Sequence, residues 1–209
     1  MKSQIFSHLA LFLLFNYILC SCNQSIDSKY IGSWIDSNTE TINIRIEKSG
    51  DIFLVAYENS NKSYAGKIVD GILEISGELG NIRVIVSEEG ELIIGGDSFI
   101  KKENSLKYGL PGKWVKDEII EFDIQYSDIN DQFVIKIKNF DRNTIITKCY
   151  IEKGWLQVFY EDESGTGNYW LKQDFKNQNK GLCGHSYESK YGGNAVGGGM
   201  AGEMKRISG

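Results

Sequence analysis

The sequence is poor in the residues on which most catalytic and metal sites depend. Of its 209 residues, two are histidine (His8 and His185), one is proline and four are cysteine. His8 lies in an N-terminal leader described below, so the remaining chain cannot build a zinc site from several histidines. A Ser-His-Asp or Cys-His arrangement would need His185, which lies in a glycine-rich segment where a fixed geometry is hard to hold. We therefore expect no catalytic residue, no metal and no cofactor.

Positive charge is also scarce. The chain has 23 Lys and Arg against 28 Asp and Glu, a net charge of −5, and its basic residues form no cluster. A protein that follows the phosphates of a nucleic acid needs a basic face, so nucleic acid is not an expected partner. The 41% of apolar residues is enough for a hydrophobic core, which argues against disorder of the whole chain.

Acidic residues and glycines are frequent, but neither forms a recognisable site. Glycosidase chemistry needs two carboxylates across a cleft, whereas the acidic residues at 117–118 and 161–163 lie in turns or polar loops. The segment 128–131 offers oxygen atoms that suit calcium but does not match an EF-hand loop. The glycines lack the G-x-x-x-x-G-K-[ST] pattern of a phosphate-binding loop. We interpret these residues as parts of solvated turns and loops.

Residues 1–21 have the organisation of a cleaved signal peptide. A positively charged start is followed by a mostly apolar run from Ile5 to Leu19, shorter than the about 20 residues that a membrane-spanning helix needs. The run ends in Leu19-Cys20-Ser21-Cys22. This end resembles the lipobox of bacterial lipoproteins, in which a small residue precedes the lipidated Cys and a Leu lies three positions before it. Cys22 fits this pattern better than Cys20.

The resemblance implies a lipid anchor at Cys22, with a simple cleaved signal as the alternative. In such lipoproteins the cysteine carries a diacylglycerol and a further acyl chain such as palmitate, and several chains make a stable membrane anchor. Residues 22–29 would then be a short tether. Asn23 follows the cysteine, which favours the outer membrane of a bacterial cell envelope and leaves open whether the protein faces the periplasm or the surface.

Two cysteines remain beyond the leader and the anchor, Cys149 and Cys183. In an oxidising compartment they can form one disulfide, which would connect the C-terminal segment to the second half of the chain. Two free thiols are the alternative, since spacing alone does not decide a pairing.

The rest of the chain has the pattern of β-strands and turns. Ile42, Ile44 and Ile46 alternate with polar residues, as in a strand with one buried face. Asp70-Gly71 separates two apolar runs and predicts a tight hairpin. No segment after the leader shows the 3.6-residue apolar period of a helix. The sequence therefore predicts an all-β fold of antiparallel sheets or a small barrel.

The chain also contains two similar halves. A Gly-x-Trp motif opens each one, ending at Trp34 in the first and at Trp114 in the second, and each half closes with an aromatic–aliphatic–Lys triplet at 99–101 and 170–172. The shared order indicates an internal duplication whose halves meet near Pro111. The expected modules are residues 30–104 and 105–175.

The Gly-x-Trp motif resembles the start of the first strand in lipocalin-like proteins. In that family the Trp plugs the closed end of an antiparallel barrel and packs on a basic side chain of the last strand. The resemblance implies that Trp34 packs on Lys101 or Lys102 and that Trp114 packs on Lys172, with a cation–π contribution. Short Gly-x-Trp domains of Bacteroides-type lipoproteins are also similar.

The length of the halves does not match a full lipocalin. We expect an eight-stranded lipocalin barrel to need about twice the roughly 60–70 residues of either half. The second half also lacks an obvious counterpart of the hairpin at 82–94. Two small lipocalin-like modules are therefore expected, with one barrel shared between the halves as the alternative. Residues 176–209 contain many glycines and few apolar residues, which predicts a flexible tail.

Aromatic residues concentrate in the second half. Tyr150, Trp155, Tyr160 and Tyr169 are the candidates for ligand contact, although most aromatics in a small β module belong to its core. We expect a membrane-anchored, non-enzymatic binding module of the cell envelope, with a small apolar or sugar ligand or an envelope protein as partner. The alternative is an interaction or inhibitor lipoprotein, such as an immunity or assembly factor, that works through exposed sheet edges and acidic loops.

Overall fold

The computed structural model describes residues 26–58, 60–77, 80–139, 144–192 and 196–207, and it is all-β apart from three short helical segments. The strands form two antiparallel sheets of eight strands each, one after the other along the chain. The first sheet contains β1 (Gly32–Asp36), β2 (Asn43–Ser49), β3 (Ile52–Tyr57), β4 (Ser63–Val69), β5 (Ile72–Gly77), β6 (Gly80–Val86), β7 (Leu92–Ile94) and β8 (Asp97–Lys101). The second sheet contains β9 (Gly112–Lys116), β10 (Ile120–Ser127), β11 (Gln132–Asn139), β12 (Ile145–Glu152), β13 (Trp155–Glu161), β14 (Gly165–Gln173), β15 (Lys180–Ser189) and β16 (Val196–Arg206).

The first sheet is a closed barrel. Each strand pairs with the next along the chain, and β8 returns to pair with β1, where Lys101 lies opposite Trp34. Alternate side chains point inward because successive residues of a strand face opposite sides of the sheet. The buried core consists of Tyr30, Trp34, Ile44, Ile46, Phe53, Val55, Leu73, Ile75, Val84, Leu92, Ile94 and Phe99.

The second sheet has the same connectivity with one break. Its last strand β16 pairs with its first strand β9, so that Arg206 lies opposite Trp114, as Lys101 lies opposite Trp34 in the first barrel. In the described part of this sheet, however, β11 pairs only with β10, and β12 pairs only with β13. The buried core consists of Leu106, Leu110, Trp114, Phe122, Ile124, Ile135, Leu156, Val158, Tyr160, Tyr169, Leu171, Cys183 and Met204.

These sheets confirm the all-β prediction and the two tandem lipocalin-like modules. The expectation that a half is too short for eight strands was wrong, because the first barrel closes within Gly32–Lys101 by using strands of only three to seven residues. The second half also has as many strands as the first, because β15 and β16 bring its number to eight.

The expectation of a flexible tail over 176–209 was wrong for the segments that form β15 and β16. Both strands are paired, and they contribute the fully buried Cys183 and Met204 to the core. The glycines of β15 make room for large neighbours. A Cβ at Gly181 would approach Met204 Cε to 2.6 Å, and one at Gly184 would overlap the Trp170 indole. The glycines that lower the apolar content of this segment therefore allow large side chains of neighbouring strands to pack closely against β15.

A short helical linker joins the two barrels. It contains a 3₁₀ helix (Lys102–Asn104) and α1 (Leu106–Gly109), and a further 3₁₀ helix (Ile26–Lys29) precedes the first barrel. The buried carboxylate of Glu40, in the β1–β2 turn, accepts hydrogen bonds from the backbone N–H groups of Leu106 and Lys107. Burial raises the pKa of Glu40. This contact fixes the linker against the first barrel.

Candidate functional site

The tryptophan of the first Gly-x-Trp motif is buried in the core of the first barrel. Trp34 is 1% exposed, and its indole N–H donates a 2.9 Å hydrogen bond to the Tyr30 carbonyl. Lys101 Nζ lies 4.0 Å from the Trp34 ring centroid and donates to the Ile31 carbonyl at 2.6 Å. The cationic stem therefore covers the ring, and Lys101 is the partner from the expected pair of lysines.

The second barrel repeats this arrangement with a different cation. Trp114 is fully buried, and its indole N–H donates to the Leu110 carbonyl at 2.7 Å. Arg206 Cζ lies 4.6 Å from the ring centroid, and the guanidinium donates to the Gly109 carbonyl. The expectation that Lys172 covers Trp114 was wrong, because the last strand of this barrel is β16 and not β14. Both tryptophans are therefore buried under a cation of the last strand, and we refer to them as the plugs.

The two cysteines of the barrels are not joined. Cys149 on β12 and Cys183 on β15 are both free thiols, so the disulfide alternative was wrong. Two strands separate them in the sheet, which places their Cα atoms about 14 Å apart at the usual strand spacing, beyond the roughly 7 Å that a disulfide can span. Burial raises the pKa of each thiol to about 12, so both are inert core residues.

Two of the four candidate ligand aromatics lie inside the second barrel. Tyr160 and Tyr169 are 5% and 1% exposed, and their rings are stacked with centroids 5.1 Å apart. His185 continues the stack, with its centroid 4.3 Å from that of Tyr169, and its Nε2 shares a 2.6 Å hydrogen bond with the Tyr160 hydroxyl. These tyrosines are therefore core residues, and they form a polar aromatic array with a histidine that we had assigned to the tail.

Burial disfavours the charged forms of His185 and Tyr160 in the array. Burial lowers the pKa of His185, with the positive charge of Lys116 acting in the same direction. Burial also raises the pKa of Tyr160. Beside the array, Tyr187 donates to Asp162 Oδ1 at 3.1 Å, which holds the 161–165 loop against β15. Tyr160, His185, Tyr187 and Asp162 therefore belong to a hydrogen-bonded, largely buried network.

The third candidate aromatic, Trp155, lies in a cleft between the two barrels. The cleft has a volume of about 690 Å³ and is open to solvent on one side. Trp155 begins β13 and is half-buried, and Lys172 Nζ lies 5.6 Å from its ring centroid. The preceding turn contacts the first barrel, since the Gly154 N–H donates to the Asn38 carbonyl at 3.1 Å. Both barrels are therefore needed to shape this cleft.

The cleft combines apolar and charged side chains from both barrels. The first barrel contributes Glu91 and Lys101, and the second contributes Phe175 and Leu182 beside Trp155. Its other charged lining residues are Glu89, Lys172, Asp174, Lys176, Lys180 and Glu203. Lys180 and Glu203 form an exposed ion pair at 3.3 Å. An indole face with charged donors and acceptors around it suits a polar ligand that has one apolar face.

The fourth candidate, Tyr150, lies on the outer face of the second barrel. Its ring stacks on Phe159 with centroids 5.8 Å apart, and Lys148 Nζ lies 4.5 Å from its centroid. Tyr150 therefore faces away from the array in the core, and it does not line the cleft. The structure does not bring the four candidates together in one site.

The acidic segment at 128–131 faces neighbouring side chains of the protein. Asp131 Oδ1 lies 2.6 Å from Lys107 Nζ and accepts from the Tyr126 hydroxyl at 2.5 Å. Asp128 accepts from the Tyr108 hydroxyl at 2.9 Å. These bonds attach the β10–β11 turn to the linker, so the segment has a structural role. Within the described ranges no group of three His, Cys, Asp or Glu side chains is placed to hold a metal ion.

Cys22 lies outside the described residues. No helix in the described part of the chain is long and apolar enough to cross a membrane. Comparison with protein-family models, with curated proteins and with solved structures finds no match for this chain. The function must therefore be argued from the cleft, the array and the strand edges themselves.

Proposed function

We propose that the protein is a non-enzymatic binding lipoprotein, anchored in the bacterial cell envelope through Cys22. The anchor rests on the lipobox-like end of the leader, and a cleaved leader leaves a short tether before the first barrel. Cys22→Ala should abolish incorporation of an alkyne-labelled palmitate, because the acylated thiol is then absent. Cys149→Ala, which removes a core thiol, is the matched control and should keep the label. Equal labelling of both variants would refute the anchor.

The proposed ligand site is the cleft around Trp155. The observation that supports it is the combination, in one 690 Å³ cleft built by both barrels, of an indole face with acidic and basic side chains. A saccharide has this double character, since its ring presents an apolar C–H face to an aromatic and its hydroxyls bond to charged groups. A sugar is therefore a better ligand for the cleft than a purely apolar molecule.

Thermal unfolding with a saccharide panel tests this proposal. The probes are neutral cello- and chito-oligosaccharides and an acidic oligogalacturonate, each added to the full chain. A ligand present at 100 times its Kd adds about 2.7 kcal/mol to the free energy of unfolding. Trp155→Ala should remove this gain. Trp170→Ala is the control, since Trp170 lies on β14 outside the cleft lining. Failure of every saccharide to raise the melting temperature would refute the sugar site.

A protein-interaction role is the second candidate. It is supported by the two strand edges at β11 and β12, which lack a second partner in the described structure. Exposed edges of this kind are templates for pairing with another chain.

A further inference from the structure

The break in the second barrel has no counterpart in the first. By order in the sheet, β11 and β12 correspond to β3 and β4, and these two strands pair with each other from Phe53–Gly66 to Ala56–Ser63. In the described residues no such ladder joins β11 to β12. We call the line between these two strands the seam. A row of backbone N–H and C=O groups on each side of it is open to pairing with an added strand.

The core of the second barrel is also less well covered along the seam. Inward-facing apolar side chains on the neighbouring strand β13, such as Leu156 and Val158, are fully buried. Those on β11 and β12 pack against the same core but are mostly only half-buried, namely Phe133, Ile137, Ile146, Cys149 and Ile151. Apolar side chains of an added strand would remove this surface from water, which is a favourable contribution to binding.

The outer face of the seam carries several lysines. Its two strands contain three lysines, Lys136, Lys138 and Lys148, and a single acid, Glu152. The two lysines of β11 lie opposite acids of β10, Lys138 opposite Glu121 and Lys136 opposite Asp123, whereas Lys148 of β12 lies opposite Phe159. Lys138 and Glu121 are 4.0 Å apart and largely exposed, so that pair is weak. A second copy of the chain pairing edge to edge would set lysines beside lysines, which is unfavourable. An acidic partner has the complementary charge.

We infer that the seam binds an extended segment of a partner protein in which apolar and acidic residues alternate. Side chains of a strand alternate between the two faces of a sheet, so one set would cover the open core and the other would face the lysines. β11 offers eight residues for pairing, whereas a bulge between Ile146 and Lys148 limits the regular part of β12. This inference rests on the interaction role, the second candidate function, and does not involve the cleft.

Amide hydrogen exchange of the full chain tests the inference. The probe is an eight-residue peptide of alternating Val and Glu. One control alternates Val and Lys, and another has the composition of the probe with its valines grouped together. The alternating acidic peptide should slow exchange in β11 and β12 by roughly tenfold or more and leave β3 and β4 unchanged. The two control peptides should have no such effect.

Reversing the charge of the seam lysines distinguishes charge-specific binding of the peptide from nonspecific adhesion. The variant with both Lys136→Glu and Lys148→Glu should lose protection by the acidic peptide and gain it with the Val–Lys peptide, which also shows that the variant is folded. Trp155→Ala should leave the peptide effect intact, so that failure of the cleft and failure of the seam can be told apart. Absence of protection by the acidic peptide would overturn the inference. So would equal protection by the grouped peptide, or dimer formation by the chain alone.

Discussion

The two barrels have the same arrangement where the first and last strands pair, and they differ along one side. At that pairing, a Gly-x-Trp motif places an indole under a cation from the last strand, Trp34 under Lys101 and Trp114 under Arg206. Along the side, the first barrel has a complete ladder, whereas no ladder joins β11 to β12 in the described residues of the second. The feature that both barrels keep is therefore the pairing of the first strand with the last. The second barrel keeps it despite the break between its third and fourth strands, β11 and β12.

The second barrel also has the more varied chemistry. Its strands are five to eleven residues long, against three to seven in the first. It holds the Tyr160–Tyr169–His185 array, and the first barrel has an aliphatic core with a few aromatics. The cleft takes most of its lining from the second barrel as well. Both the proposed cleft and the proposed seam therefore depend mainly on the second barrel.

The largest expected effect comes from removing the plugs. Trp34→Ala and Trp114→Ala should each lower the free energy of unfolding by about 3–5 kcal/mol, because each leaves a large cavity in a closed core. Trp170→Ala, at a half-buried position on the outer face, should cost less. Urea unfolding followed by amide exchange in each barrel measures the two losses separately. A near-wild-type melting temperature for either plug variant would contradict the equivalence of the two ends.

The plugs illustrate what the sequence could predict. The Gly-x-Trp motif and the alternating isoleucines depend on neighbours along the chain, so the strands and the duplication followed from local pattern, whereas the cation over Trp34 followed from the resemblance to lipocalin-like proteins. Arg206 was missed because its assignment depends on counting strands to the end of the barrel. A closing triplet at 170–172 is a good local match, but the register places Lys172 beside Leu182 and not beside Trp114. Strand order around a barrel is non-local information.

The second-largest expected effect is a loss of folding stability when either glycine of the Gly-x-Trp motifs is replaced by alanine. Gly32 and Gly112 have φ of +131° and +137°, a backbone region that residues with a Cβ rarely adopt. A Cβ at Gly32 would lie 2.7 Å from Lys101 Nζ, whereas one at Gly112 would lie 3.4 Å from Arg206 Nη1. Gly32→Ala and Gly112→Ala should each cost roughly 1–3 kcal/mol from backbone strain, with the larger loss at Gly32.

The control for the glycine pair is an alanine substitution without backbone strain. Gly202 on β16 lacks a positive φ, and a Cβ there would meet only Lys116 Cε at 3.6 Å. Gly202→Ala should therefore leave the urea midpoint nearly unchanged. A larger loss at Gly112 than at Gly32 would show that the two ends are packed differently from what the contacts indicate.

The functional residues were harder to predict than the fold. The clustering of Tyr160 and Tyr169 in the sequence marks them as candidates for ligand contact, but clustering does not separate an inward from an outward strand position. The glycines around His185 predict a flexible tail, whereas β15 is paired on both sides and its glycines accommodate Trp170 and Met204. A glycine opposite a large aromatic on the next strand is a signal that requires the register. The cleft around Trp155 depends on two barrels and has no local pattern.

The smallest expected effect is a pH dependence confined to the second barrel. Burial lowers the pKa of His185 below its usual value of 6.5, so the folded protein keeps the imidazole neutral. The unfolded chain binds a proton below about pH 6.5. The stability that this group contributes is therefore full above pH 6.5 and is lost as the pH falls toward the folded-state pKa. In the first barrel the raised pKa of Glu40 acts in the opposite direction, since acidification favours its buried neutral form.

Amide exchange at pH 7.5 and 5.5, corrected for the intrinsic rates, separates these two effects. Acidification should weaken protection in β13–β15, where His185 and its tyrosines lie, and should not weaken it in β1–β8. His185→Phe keeps a flat ring in the stack but does not titrate, so the acid-induced loss should disappear in this variant. Glu40→Gln is the matched variant of the first barrel and should leave the loss in the second barrel unchanged. An acid response of equal size in His185→Phe and the unmodified protein would mean that another group carries it, and the two barrels would then not differ by this histidine.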